Sequence, residues 1–435
     1  MLGGISFVWV PREDVAPFVI LLFGIVIALF VTILMEPHDF KTIFSLFIIA
    51  FAIRVFLSTL LFLLSYSYGN TGVEGYLLNN DGVGYDLNGW YIAQRHNAGF
   101  EVDPFFYLRE SNLGWTLTSY HFWVARVYQM TGRSPLSLFF INSFLGALVI
   151  IFLYSITKQL LDKKAAILCA TFGGFFPSVI FWSTQNFKEP IINLMLCFVF
   201  FLWLKTIRKF NMFYFLLSIF PLYVLYKLSP LFIPSLLLTF FLALITLLGG
   251  TCRKTILLLF MAIGFTAASI SVIYFSNLLE PLMIRMTGET TILKFIAVGR
   301  EAKAYGNLAI MPGFNISTPM DALLFLPIAS IYAWFSPFPW QIGSAAQIIA
   351  LPEMLIFYLM FPLFLKGISY CWKNKFSETF PLIFFMVFIM LMLGYVEGNS
   401  GTLFRHKSAV LYLIFIFISI GIFRKPENYE KNLPV

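Results

Sequence analysis

Apolar runs of about 20 residues, the length a helix needs to cross a bilayer, recur along this chain. They fall at 16–36, 42–67, 136–157, 165–182, 187–205, 212–227, 230–250, 255–275, 321–337, 347–371, 379–396 and 408–423. Lipid offers backbone groups no hydrogen-bond partner, so runs of this kind are confined to helices or closed barrels, and runs this long are helices. Composition agrees: 60% of the 435 residues are hydrophobic and only 11% are charged, against about 25% charged in a soluble domain. The expectation is an all-α, polytopic transmembrane helical bundle of about 11 spans. No repeat, low-complexity tract or soluble linker divides it, so residues 1–435 read as one membrane domain.

Two segments, about 69–135 and 276–320, hold no span but many aromatic residues, and are expected to contain interfacial helices. Basic residues mark the short connections: Lys158, Lys163 and Lys164; Lys205, Arg208 and Lys209; Arg253 and Lys254; Lys373 and Lys375; Arg424 and Lys425. Placing these in the cytoplasm puts both long segments and the loop at 397–407 on the outer face. That arrangement needs an external N-terminus and a run at 321–337 that does not cross fully. The following SPFPWQ, Ser336–Gln341, supplies a reason, because Pro337 and Pro339 break a helix and Trp340 suits an interface. The net charge of +8 belongs to this inward bias and calls for no nucleic-acid partner; membrane lipids are the expected surroundings. Arg12, Glu13 and Asp14 precede the first run, a poor start for a cleavable signal peptide. Cys169, Cys197, Cys252 and Cys371 lie in or beside spans without metal-ligand spacing and read as packing residues. Arg54, inside the second run, is expected to face a protein interior or to snorkel.

Three polar stretches carry the candidate chemistry. FPSVIFWSTQNFKEPI, Phe176–Ile191, joins two spans with almost no loop and places Gln185, Asn186, Lys188 and Glu189 at the junction. A cation and an anion at the mouth of two membrane helices are costly and often functional; the local alternative is that Glu189 and Pro190 merely suit a helix start. In the first long segment, NNDGVGYDLNGWYIAQRHN carries Asp81 and Asp86 around two glycines, then Arg95 and His96. Aspartates at a membrane surface act as general bases or hold a hard divalent cation, although NNDG alone is also a turn former. EGNSGTLFRHK sets Arg405, His406 and Lys407 side by side against the inward bias of basic residues. A phosphate beside them explains the exception, since Arg and Lys bind phosphate oxygens; a lipid-headgroup anchor is the plainer alternative.

An aspartate in a first long loop, an acidic second turn and a late Arg-containing motif together resemble the GT-C glycosyltransferases. FPSVIFWSTQNFKEPI is similar to the P–W–S–K–E segment of bacterial members, and GNSGTLFRHK to their late R-containing segment. The chain departs from them in an extra early span, in lacking a soluble C-terminal domain and in having DGVGYD where they have adjacent acids. The resemblance implies an enzyme of the bacterial cytoplasmic membrane. Such an enzyme transfers a sugar from a polyprenyl-phosphate carrier to a glycan or lipid acceptor at the outer face. It implies that Asp81 activates the acceptor or helps hold a divalent cation, magnesium or manganese, with Glu189 as the second acid. Lys188, Arg405 and Lys407 would neutralise the leaving phosphate. His406, Asp86, Arg95 and Gln185 complete the expected substrate-binding set. Two rivals stand beside it: a polymerase or ligase using a diphosphate-linked glycan, and a flippase or transporter. Transporters place ionisable groups near mid-membrane and show repeated halves, whereas here the polar groups gather at span ends.

Overall fold

The computed structural model describes all residues except 1–14, 69–72, 74, 78–80, 103–118, 210, 230, 231, 234, 240–291, 305–308, 312, 315, 317, 341–344 and 425–435. The expected span at 255–275, most of the one at 230–250, and Cys252 lie outside the described residues. Within them the secondary structure is helical, apart from one bridge between Ala309 and Asn399. Six helices are long and apolar enough to cross a membrane, or eight if each of two bent pairs is one span. The chain is thus a helical membrane protein, with fewer described crossings than the eleven expected. One difference is at 212–227, where two short helices meet at Ser218, whose hydroxyl turns back onto Phe215 O at 2.6 Å.

The chain divides into two compact units, one of residues 1–199 and 220–230, the other of 200–219 and 231–435.

The first unit contains α1 (Ala16–Met35), α2 (Phe40–Tyr68), α3 (Asp81–Asn97), α4 (Ser119–Thr131), α5 (Pro135–Leu160), α6 (Lys163–Phe175) and α7 (Pro177–Ser183), and the start of α8 (Glu189–Arg208). Its centre is α5, predominantly apolar and buried along nearly its whole length, whereas the peripheral α1 is buried at only Pro17, Gly24, Ala28 and Thr32. At one end, Lys158 bridges Glu36 (2.7 Å) and Asp39 (2.6 Å), and Lys163 reaches Asp39 (2.6 Å), so the loops at 36–39 and 158–163 share one face. Asp162 caps α6 by accepting from Ala165 N at 2.9 Å.

The run 165–182 is a bent pair rather than one straight helix. Pro177 pushes Phe176 out of the helical region (φ −66°, ψ 131°), because the residue before proline is barred from it, and α7 leaves α6 at 52°. The bend leaves carbonyls at the end of α6 without helical partners. Arg54, fully buried on α2, fills that gap: its guanidinium donates to Gly174 O at 2.7 Å and Gly173 O at 3.4 Å, and to Ser183 Oγ at 2.9 Å. A cation at a helix C-terminus is favourably placed, so Arg54 faces the interior and does not snorkel.

The second unit contains α9 (Met212–Leu217), α11 (Ile292–Lys303), α12 (Pro319–Phe335), α13 (Ala345–Asn374), α14 (Phe376–Val396), α15 (Ser400–His406) and α16 (Ser408–Phe423); the intervening α10 (Ile219–Leu228) belongs almost entirely to the first. Helices α13 and α16 cross where Gly367 and Gly421 meet; a Cβ on Gly367 would lie 1.8 Å from Phe417 O. Small residues permit such backbone approach where lipid provides no hydrophobic drive between helices. Helix α12 starts in a capping box of Thr318 and Asp321. At 17 residues it is shorter than the usual span of about 20. Helices α15 and α16 are bent by 57° at Lys407.

Candidate functional site

The candidate residues fall on both units.

In the first unit the turn between α7 and α8 is buried from Ser183 to Phe187 and framed almost wholly by neutral groups. Asn142 on α5 donates to Gln185 O at 2.6 Å and Phe187 O at 2.9 Å. Ser58 on α2 donates to Thr184 O at 3.0 Å and bonds Ser143 at 2.9 Å. Gly146 on α5 allows this packing, since a Cβ there would sit 2.5 Å from that of Ser183. Ten residues separate Ser58 from the end of α2, and seven separate Asn142 from the start of α5. At about 1.5 Å per residue the turn is recessed by roughly 10–15 Å from those helix ends. The recess lies at the opposite end of α5 from the Lys158 cluster.

Asn186 fastens this turn to the segment before and after Asp81. Its Nδ2 donates to Tyr76 Oη and to Gly82 O, both at 3.1 Å, and its Oδ1 accepts from Tyr120 Oη at 3.0 Å. Burial, with lesser contributions from Tyr85 and then Glu189, outweighs the Asn142 hydrogen bond and keeps the Tyr120 hydroxyl above its ordinary pKa, so it remains a donor. Asp81 opens α3, one residue before the carbonyl that Asn186 holds; Glu189 opens α8, three residues after Asn186. Asn186 thereby joins the start of the segment that carries Asp81 to the turn that precedes Glu189. Glu189 is buried, Asp81 and Lys188 are half-buried, and Gln185 is buried in the turn. Trp182 Nε1 is a buried donor with no hydrogen-bond acceptor among the described residues.

Two further candidates stand apart. Asp86 is fully buried and engaged by Tyr128 Oη and by Arg133, whose Nε is 3.1 Å away. It clamps α3 to α4 and to the start of α5. Burial and the Asp86 charge hold the Tyr128 hydroxyl well above its ordinary pKa. Arg95, near the other end of α3 from Asp81 and about 20 Å along the helix, lies over the Phe100 ring at 4.7 Å.

Carboxylate oxygens such as those of Asp81 and Glu189 are hard donors of the kind magnesium or manganese takes. No group of three or more His, Cys, Asp or Glu side chains gathers among the described residues. Two carboxylates suit an ion shared with a substrate phosphate, the usual arrangement for magnesium.

In the second unit the run 397–407 is held by charges. Asn399 caps α15 by accepting from Gly401 N at 2.9 Å, and Gly398 O accepts from Ile310 N at 2.7 Å. Arg300, fully buried on α11, supports the facing loop through Phe314 O (3.2 Å) and Met311 O (3.3 Å). Glu397 receives His406 Nδ1 at 2.9 Å and Lys303 Nζ at 3.3 Å. Burial raises the Glu397 carboxyl, but the hydrogen bond and charge of His406, with Lys303, outweigh it and leave the group lowered to about 2. Arg405 is largely buried, with Nη2 3.5 Å from His406 Nε2. Lys407 turns elsewhere: its ammonium meets Trp334 O (3.3 Å) and Ser336 O (3.1 Å) at the end of α12, and the Phe357 and Phe404 rings at 5.6 Å each. Sequence adjacency therefore does not make one cluster of the three cations.

Glu397, Lys303, Asn142 and Tyr76 were not singled out from the sequence. Glu397 heads the same polar string as Arg405, and Asn142 with Ser143 interrupts an apolar run; both were visible signals. No family model matches this chain, and no curated protein matches it.

Proposed function

We propose that this protein is a membrane glycosyltransferase that moves a sugar from a polyprenyl-phosphate donor to a cell-envelope glycan or lipid acceptor at the outer face of the membrane. The observation that carries the reading is the Asn186 network, which ties the turn before Glu189 to Gly82, the residue after Asp81. Two carboxylates of different exposure in a neutral, hydrogen-bonded frame suit proton transfer at a water-poor site. Asp81, the more exposed, takes the proton of the acceptor hydroxyl as the acceptor oxygen bonds to the sugar anomeric carbon. The bond from that carbon to the phosphate oxygen breaks, and the carrier phosphate keeps the electron pair. Glu189 is the second acid, and Lys188 supplies positive charge beside it. A divalent cation bound by the two acids would add further stabilisation of the phosphate charge.

Arg405, with its planar fork of donors, is assigned to the carrier phosphate. Lys407 is left out of that role because its ammonium is committed to the Trp334 and Ser336 carbonyls.

Lipid analysis of cells lacking the protein tests the reading. A sugar linked to polyprenyl monophosphate should accumulate. Accumulation of a diphosphate-linked glycan instead would replace it with the polymerase or ligase reading, and unchanged lipid-linked sugars would remove both.

A further inference from the structure

Arg54 takes no part in sugar transfer as assigned to the acids and cations around Glu189, yet it is a fully buried charge inside α2. A charge within a membrane helix is costly and marks function by default. Its guanidinium reaches two elements at once. Nη1 donates to Gly174 O at the end of α6, at 2.7 Å, and Nε donates to Ser183 Oγ at the end of α7, at 2.9 Å. Gly174 and Ser183 lie on opposite sides of the bend at Phe176, so the guanidinium is a strut across the 52° angle. Ser183 Oγ accepts from Arg54 and turns its own proton to Val179 O (2.8 Å) or Ile180 O (2.9 Å). The strut therefore ends on the last turn of α7.

The buried turn begins at the next residue. One helical turn beyond Arg54 on the same face of α2, Ser58 donates to Thr184 O at 3.0 Å. From α5, Ser143 donates to Ser183 O at 3.4 Å. Gly146 leaves the room for this seam, since a Cβ there would come within 2.5 Å of Ser183 Cβ and 3.3 Å of Arg54 Nε. The planar fork of arginine holds its two anchor points in fixed relation and stays charged at every working pH. Lysine would keep the charge but present all its donors from one nitrogen.

From this geometry we infer that Arg54 is a positioning residue for the turn that carries Lys188 and Glu189. It fixes the angle between α6 and α7 and, through Ser183, the place of the residues that follow. The inference rests on the proposed role of that turn in sugar transfer and adds a residue that acts from behind it.

Hydrogen exchange of the purified full chain in lipid nanodiscs, read by mass spectrometry, tests the strut without substrate. The reporters are the amides of Thr184 and Phe187, bonded to Phe181 O and Gln185 O. The loop at 158–163, at the opposite end of α5, is the reference. In Arg54→Lys and in Ser183→Ala, exchange at the reporters should rise about tenfold or more, the scale of a lost hydrogen bond to a charged group. The reference loop should exchange as in wild type. Ser183→Ala keeps the Cβ packed against Gly146 and the arginine on α6, so it decides the matter if Arg54→Lys does not elute as folded protein. The kcat for transfer from a polyprenyl-monophosphate-linked sugar should fall about tenfold or more in the same variants, because a small displacement of a catalytic group is enough. An arginine that only stabilises the fold would raise exchange evenly over the first unit and leave the kcat of the folded protein unchanged. Either of those results, or unchanged exchange at the reporters, overturns the inference. Wild-type protein that transfers no sugar would remove the glycosyltransferase reading alone, and the exchange pattern would then decide the strut by itself.

Discussion

The turn at 184–189 and the run at 397–407 are both polar stretches between membrane helices, and they are stabilised by opposite means. The first is organised by amides and hydroxyls: Asn142, Asn186, Tyr76, Tyr120 and Ser58 satisfy its backbone and one another. The second is organised by ions: Glu397 with His406 and Lys303, Arg300 on loop carbonyls, Lys407 on the end of α12. A neutral frame keeps its geometry as pH changes, whereas a frame of charges depends on the protonation of its members.

The largest expected effect tests the acids of the neutral frame. Asp81→Asn should lower sugar transfer by about 10²–10⁴-fold, the range that general acid–base catalysis supplies. The fold should be retained, because Asp81 is only half-buried. Near-normal turnover in this variant would remove Asp81 from the chemistry.

Next in size is the frame itself. Asn186→Leu keeps the volume but strips Tyr120, Tyr76 and Gly82 of a partner, and each buried polar group so stranded costs about 1–3 kcal/mol. Thermal unfolding of the purified protein should fall accordingly, by the same amount at pH 6 and pH 8. A loss that varied with pH would mean that the frame is not neutral.

The charged run is probed by Arg405→Lys, which keeps the charge and loses the planar fork. Carrier affinity should weaken several-fold; a silent exchange would reduce Arg405 to a headgroup anchor. Glu397 gives a pH signature. Its carboxyl lies lower in the folded protein, at about 2, than its ordinary 4.5. Its contribution to stability is therefore complete above pH 4.5 and is lost as pH falls from there toward 2. Acid unfolding monitored in Glu397→Gln should lack this component. The smallest effect on carrier binding belongs to Lys407→Met, since its ammonium is engaged by the Trp334 and Ser336 carbonyls at the end of α12. Carrier binding should change by less than about twofold, whereas a phosphate ligand at this position would show a clear loss.

Apolar run length located several helices closely: 136–157 against Pro135–Leu160, 379–396 against Phe376–Val396, and 408–423 against Ser408–Phe423. These helices are long and predominantly apolar, so length decides them. The bend at Phe176 was visible as Pro177, but its consequence, exposed carbonyls that Arg54 fills from another helix, depends on packing that no local pattern records. The same holds for Lys407. Beside Arg405 and His406 in the chain, it reads as a third phosphate ligand, while the bend between α15 and α16 sends its ammonium to the end of α12. Asp81 and Glu189 were legible as acids at the ends of apolar runs; the Asn186 bond to Gly82 that links them was not, because it joins residues 104 positions apart.

The central claim is the transfer reaction, and the direct measurement is release of carrier from a defined donor. Purified protein in lipid nanodiscs, given a polyprenyl-monophosphate-linked sugar and a cell-envelope acceptor extract, should release polyprenyl phosphate in step with sugar appearing on the acceptor. Asp81→Asn should release essentially none. Release only from a diphosphate-linked donor, or equal release by wild type and Asp81→Asn, would contradict the account.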